Sequence, residues 1–136
     1  MAVTLDDVSR NVMCNAFTAQ LAGGHIVLKN ASGNTVAILI FHATTPFTAA
    51  VTGSAEAGGT GEEITPEDSV LAPAGGSTAT NFALTNAAET ITYATGNAVV
   101  ATPSAGDIVF TPTNAFVATG TVSISSMIVT VPATCA

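Results

Sequence analysis

The chain has 136 residues and a mass of 13.4 kDa, enough for one domain around a single shared core. Charged residues make up only 8% of it, with Lys+Arg 2 against Asp+Glu 9 and a net charge of -7. It therefore cannot neutralise the rows of phosphate that nucleic acid or an anionic membrane presents, and its surface must be built from Thr, Ser, Asn, Gly and Ala.

The longest apolar run, Val36 to Phe41, has strand length and falls far short of the roughly 18–20 residues of a membrane span. Met1 to Asp7 has neither the basic nor the apolar region of a cleaved signal, so the expectation is synthesis and folding in the cytoplasm. In that compartment Cys14 and Cys135, which belong to no CxxC pair, are expected to be reduced thiols.

The first element reads as a helix over about residues 4–22. Thr4 is its expected cap, Thr4-x-x-Asp7 approximates a capping box, and Asp6 and Asp7 suit the positive end of the dipole. Leu5, Val8, Val12, Ala16 and Ala19 form its expected packing face, widened by Met13, Phe17 and Leu21, and Gly23-Gly24 ends it.

Next, His25 to Lys29 and Thr35 to His42 read as a hairpin around Asn30-Ala-Ser-Gly-Asn34. Pairing Lys29 with Thr35 would put Ile26, Leu28, Val36, Ile38 and Ile40 on one face and Val27, Ala37, Leu39 and Phe41 on the other, so the hairpin should be buried on both sides.

From Thr44 to Gly76 the pattern dissolves into Thr, Ala, Gly and Pro. One strand is conceivable at Phe47 to Val51, and an acidic Gly/Thr-rich loop occupies about residues 52–77, with five of the nine acids between Glu56 and Asp68. Strands follow at Thr78 to Thr85 and Glu89 to Thr95 around Asn86-Ala87-Ala88, with a short edge piece at Val99 to Thr102. The last third reads as Asp107 to Thr111, Phe116-Val117 and a long strand from Thr121 to Val131. Along that strand the apolar parity switches at Ser125-Ser126, as at a β-bulge. Short strands at this spacing predict a mainly β fold, an antiparallel jelly-roll-like β-sandwich with one N-terminal α-helix, in a single domain over residues 1–136.

No residue pattern indicates an enzyme. His25 and His42 fall on opposite parity in the simple hairpin register, which argues against a shared metal. Glu62-Glu63-x-x-x-Glu67-Asp68 offers hard oxygens without the spacing of a calcium loop. There is no G-x-S-x-G around a serine, and the only lysine, Lys29, lies in a strand rather than after a phosphate loop. Asn30-Ala31-Ser32 is formally a glycosylation sequon that reads better as the hairpin turn. No catalytic residue, metal ligand or cofactor is expected. A hairpin apolar on both faces, in a chain too small to cover all of it, instead predicts a homodimer or homotrimer. The expected interface residues are Val27, Leu39, Phe41, Phe47, Val51 and Phe116.

Both ends of the chain resemble small structural virion proteins of tailed bacteriophages. Those proteins open with an A-V-T-L capped helix rich in Asn and Ala, pass a Gly pair into a hairpin, and close with G-T-V-S-I-like strands ending in V-P-A. The matching pieces here are Ala2-Val-Thr-Leu5, Asn11 to Leu21, Gly23-Gly24, the hairpin to His42, and Gly120 to Ala133, roughly half the chain. The centre departs from the pattern, because such chains carry a Trp-containing strand pair there and this one has no Trp. The resemblance implies a capsid cement or decoration protein on the outside of the virion. Its partners would be the major capsid protein and copies of itself, with no nucleic acid and no membrane. A tail-tube or other tail component is the alternative, and a calcium-dependent carbohydrate-binding module using the acidic loop is the second alternative.

Overall fold

The structure, a computed structural model, describes residues 3–56, 77–100, 108–110, 115–116 and 127–135. In chain order its elements are β1 (Val3–Thr4), α1 (Asp7–Ala19), β2 (His25–Lys29), β3 (Thr35–Ile40), β4 (Ser54–Glu56), β5 (Ser77–Thr78), β6 (Asn81–Thr85), β7 (Thr92–Val100), β8 (Ile108–Phe110), β9 (Ala115–Phe116), β10 (Ile128–Thr130) and β11 (Thr134–Cys135). The fold is mainly β, with one helix among the described residues.

Its largest sheet has the order β3-β2-β6-β7-β8, antiparallel except for the parallel β7–β8 pair at one edge. Three two-stranded ladders accompany it: β1–β11, β4–β10 and β5–β9. One face of the large sheet buries Ile26, Leu28, Ala37, Leu39, Phe82 and Leu84. Against them pack Phe17, Leu21, Phe47, Met127 and Val129, so the second layer is the helix end together with the β4–β10 ladder. Phe41 meets Phe47 with ring centroids 5.5 Å apart in a tilted arrangement, a favoured geometry for aromatic pairs.

The hairpin turn forms where its residues predict. The Asn30 side chain accepts from Ser32 N and Asn34 N, both at 3.0 Å, the Asx geometry that fixes such loops. Lys29 pairs Thr35 as expected, but the register shifts by one immediately beside it, so Leu28 opposes Ala37 and Val36 is the extra residue of a β-bulge. The shift exchanges the faces. Ile26 and Leu28 share a side with Ala37 and Leu39, while Val27 is opposite Ile38 and His25 opposite Ile40. Val36 is still fully buried in the core.

Other expectations are corrected locally. Phe47 to Val51 is not a strand, and the chain instead pairs at Ser54–Glu56, inside the span expected to be loop. The stretch from Thr78 to Thr85 is two strands, β5 and β6. The turn after β6 extends past Ala88, because Asn86 N donates to Ile91 O at 3.1 Å while the Asn86 side chain accepts from Thr90 N and Ile91 N. β7 then runs unbroken through Val99-Val100, where a separate edge piece was expected. At the end of the chain Met127 is buried, Ile128 exposed and Val129 half-buried, the parity anticipated for that segment. The acidic stretch within 57–76, the segment 101–107 and the expected bulge at Ser125-Ser126 lie outside the described residues.

Candidate functional site

The helix begins two residues later than its sequence suggests. Asp6, in extended backbone, is the cap, and its carboxylate accepts from Ser9 N at 2.7 Å. Those hydrogen bonds hold the Asp6 carboxyl below its ordinary pKa of 3.8. Thr4, the expected cap, belongs to β1, which pairs with β11 through Val3 opposite Cys135 and Thr4 opposite Thr134, and Leu5 N continues to Ala133 O at 2.7 Å. The two termini are thereby laced together at the root of the helix.

The helix packs Phe17 and Leu21 into the core as expected, but turns its valines outward and docks through the face opposite to them. Arg10 Nε donates to Val131 O at 3.0 Å, and the Cys14 thiol donates to Val129 O at 3.5 Å. Asn11 accepts from Gly53 N and Asn15 from Ala50 N, both at 2.8 Å. Thr18, buried at the same spacing, returns its hydroxyl to Cys14 O at 2.9 Å. Arg10, Asn11, Cys14 and Asn15 thereby hydrogen-bond to backbone groups of residues 50–53 and of β10 and its continuation. Burial raises the pKa of the Cys14 thiol, an effect only partly offset by the backbone of Ala55, and the thiol is free.

The loop that receives the helix is tight. Val51 and Ser54 exchange both backbone hydrogen bonds across Thr52 (φ +48°) and Gly53 (φ +80°), a two-residue turn of the I′ kind. The φ of +80° favours glycine at this position, and a Cβ on Gly53 would come within 2.6–2.8 Å of the Arg10 guanidinium, which would have to move aside. Arg10 also meets Asp7 at 2.8 Å, an ion pair exposed on its acidic side.

With its polar face spent inward, the helix turns aliphatic residues to solvent. Val8 is 72% exposed, Val12 64% and Met13 47%, and Ala16 and Ala19 are also exposed. At about 100° per residue, Val8, Val12, Ala16 and Ala19 lie within roughly 80° of one another on the helix surface. This charge-free stripe, bordered by Ser9, Asn15 and Gln20, is the largest departure from the sequence-derived picture, which placed those residues in the core.

Of the expected interface residues, Val27, Leu39 and Phe41 are buried within this single chain, Leu39 and Phe41 in the core with the helix layer and Val27 on the opposite face of the sheet. Phe47 is half-buried in the core cluster, and Val51 is 68% exposed beside the tight turn. Phe116 lies in β9 opposite Ser77. The structure thus does not gather these six residues into one surface.

The histidines do not converge. His25 Nδ1 lies 2.8 Å from Glu89 Oε1, whereas His42 Nδ1 is met by Thr44 N and Thr45 N at 3.3 and 3.1 Å. Among the described residues no three His, Cys, Asp or Glu side chains cluster as metal ligands would, and no helix is long and apolar enough to cross a membrane. Lys29, Asn81, Thr95 and Asn97 line an open polar groove of about 510 Å³ on the sheet.

No protein-family model, curated protein or solved structure matches the chain.

A signal for the true docking face exists in the sequence. Asn11, Cys14, Asn15 and Thr18 repeat at the same three-and-four spacing as the valines, so two stripes compete with equal periodicity. Hydrophobicity favours the aliphatic one for burial. What overturns it is the need of nearby backbone groups for donors and acceptors.

Proposed function

We propose that this protein is a structural virion component, a capsid cement or decoration protein that binds the outer surface of an assembled shell and stabilises it. The observation that carries this reading is the exposed, charge-free aliphatic face of α1, set beside the paired chain ends. A surface of this kind favours association by burial of apolar area over ion pairing. The phage setting rests on the resemblance at the two ends. Its pieces Val3-Thr4-Leu5 and Ala133 are neighbours through the β1–β11 ladder and Leu5 N. With an acidic balance of Asp+Glu 9 to Lys+Arg 2, the chain suits the outside of a shell better than its DNA-facing interior.

The mechanism is adhesive. A protein that binds the assembled lattice and not the free subunit shifts the equilibrium toward the lattice by mass action. Repeated weak contacts across a symmetric particle raise avidity by about 10²–10⁴. The test is to heat particles with and without the protein and to add the purified chain back in dilute buffer and in 1 M NaCl, where the Debye length is about 3 Å. Complete particles should survive to higher temperature, and add-back should work nearly as well in high salt. Loss of binding in salt would reject apolar contact as the means. Recovery of the protein with purified tails rather than heads would reject the cement role in favour of the tail alternative.

A further inference from the structure

We infer that the polar groove on the large sheet, on the side away from α1, is a binding site for a neutral saccharide, held by Lys29 and Asn81 through neighbouring hydroxyl groups. It uses neither a metal nor the acidic stretch. It rests on the shell reading above only for its orientation, since a copy seated through α1 would hold the groove toward solvent.

Three interior strands build the site. Lys29 of β2 lies opposite Asn81 of β6, which lies opposite Asn97 of β7, and two residues along Ala83 lies opposite Thr95. Residues paired in this way share a face, so Lys29, Asn81 and Asn97 form a row about 10 Å long, two strand spacings, with Ala83 and Thr95 beside it. Phe17 and Leu21 pack on the other face, with Leu28, Phe82 and Leu84. The opening of about 510 Å³ falls within the roughly 300–1,000 Å³ of small-molecule sites. Buried Ala83 supplies a small apolar floor between the polar side chains.

The row sets a donor beside an acceptor. The Asn81 amide nitrogen donates to Asn30 O at 3.4 Å and to Thr80 Oγ1 at 3.2 Å, which engages both of its hydrogens and leaves Oδ1 to accept. Lys29 Nζ, next in the row, can only donate, and it pairs with no acid among the described residues. No buried side-chain polar atom among the described residues lacks a partner, so Oδ1 and Nζ are both open to solvent. Two neighbouring hydroxyls match this pair, because one accepts from the lysine while the other donates to the amide oxygen. Thr95, exposed on the adjoining row, can do either.

The same features turn other ligands away. A carboxylate brings no hydrogen for Asn81 Oδ1, and any anion approaches a chain of net charge -7 with one lysine to meet it. A nucleic-acid base finds no aromatic face to stack on, because the Phe82 ring is buried in the core. An added peptide strand finds no edge, because β2, β6 and β7 are each paired on both sides. A neutral ring bearing several hydroxyls meets every one of these conditions. Contacts in an open groove are few, so the affinity for one sugar ring is about millimolar.

The test titrates the isotope-labelled full chain, free of capsids, with the methyl glycosides of mannose, glucose and galactose, read by amide NMR shifts. At least one glycoside should move Lys29, Asn81, Ala83, Thr95 and Asn97 together and saturate at about millimolar concentration. Acetate and inorganic phosphate, at matched ionic strength, should bind more weakly. Lys29→Met, which keeps the aliphatic stem, should weaken sugar binding at least about tenfold. Thr95→Val, at an exposed site, should weaken it about threefold with unchanged melting, and it decides the matter if K29M melts lower. Val12→Glu, on the face proposed for the shell, should leave sugar binding unchanged, so the two readings fail separately. The proposal is overturned if no glycoside moves the groove at any concentration up to about 0.1 M. Anions that bind as tightly as the best glycoside would overturn it, as would shifts centred elsewhere on the chain. Binding unchanged by both K29M and T95V would do the same.

Discussion

Replacing residues of α1 by alanine, one face at a time, should change stability with opposite signs. Asn11 and Asn15 each accept a 2.8 Å hydrogen bond from a backbone N–H, of Gly53 and Ala50 respectively, in partly buried surroundings. Leaving such a donor unsatisfied costs about 1–3 kcal/mol, and partial burial places these two in the lower half of that range. Alanine returns about 0.6 kcal/mol of helix propensity relative to asparagine. Asn11→Ala and Asn15→Ala should therefore each destabilise by about 1 kcal/mol. Their double variant should depart from additivity, since both hold the loop 50–53. Val12→Ala removes methyl groups that already face water and gains a similar propensity, so it should be neutral or stabilising by about 0.5 kcal/mol. Were Val12 a core residue, the same change would cost about 2 kcal/mol or more from lost burial and the cavity left behind. Urea unfolding followed by far-UV circular dichroism, in solution dilute enough to keep the chain monomeric, measures all three. A Val12→Ala loss above about 1 kcal/mol, with both asparagine variants neutral, would refute the orientation of the helix.

Thr52 is a β-branched residue at φ +48°, so Thr52→Asn should stabilise by about 0.5–1 kcal/mol in the same assay, and a loss would argue against the I′ turn. Gly24→Ala should be severely destabilising, because its Cβ would run into Thr85 O on the neighbouring strand, a backbone atom that cannot move without the sheet; wild-type melting would refute that contact. Cys14 should resist alkylation in the native state and react on unfolding. Its raised pKa means that its contribution to stability is whole below the ordinary value of 9.0 and is lost as pH rises through the raised one, and equal labelling of both cysteines in the folded chain would contradict this. The lowered pKa of Asp6 has the opposite sign: its contribution is present above 3.8 and lost as pH falls through the folded value. Asp6→Asn, which retains a capping oxygen, should therefore flatten the acid limb of the melting curve, and an unchanged limb would remove Asp6 as its source.

The sequence betrayed elements more readily than faces. Runs such as His25 to Lys29 and the Asn30 turn were legible because β-propensity and Asx chemistry are local, and the structure keeps both. The hairpin's face assignment failed at Val36 for a reason the run itself conceals. A bulge inside alternating polar and apolar residues breaks the pattern visibly, whereas here the residues around it are apolar, so a shift of one leaves no trace. Helix α1 failed differently. Its valine stripe and its Asn/Cys/Thr stripe have the same period, and the choice between them depends on residues 50–53 and 129–131, distant in sequence, whose backbone groups need partners. Of the expected interface residues, Val27, Leu39 and Phe41 shared a face only in the register without the bulge; they are buried in this chain, Val27 on one side of the sheet and Leu39 on the other.

On the proposed reading, the inverted helix explains why a charge-poor chain can stay dispersed and yet assemble. Fully burying a Val or Met side chain contributes about 1.5–3 kcal/mol. Scaled by exposures of 72%, 64% and 47%, the residual burial available at Val8, Val12 and Met13 is about 3–5 kcal/mol per copy. Docking of that face on a shell gains at most this much per copy, against an association cost of about 4–15 kcal/mol in lost translational and rotational freedom. A single contact is therefore weak, and the chain stays dispersed when free. Where a lattice offers many such contacts at once, most of the association cost is met by the first and the burial at the others becomes net stabilisation.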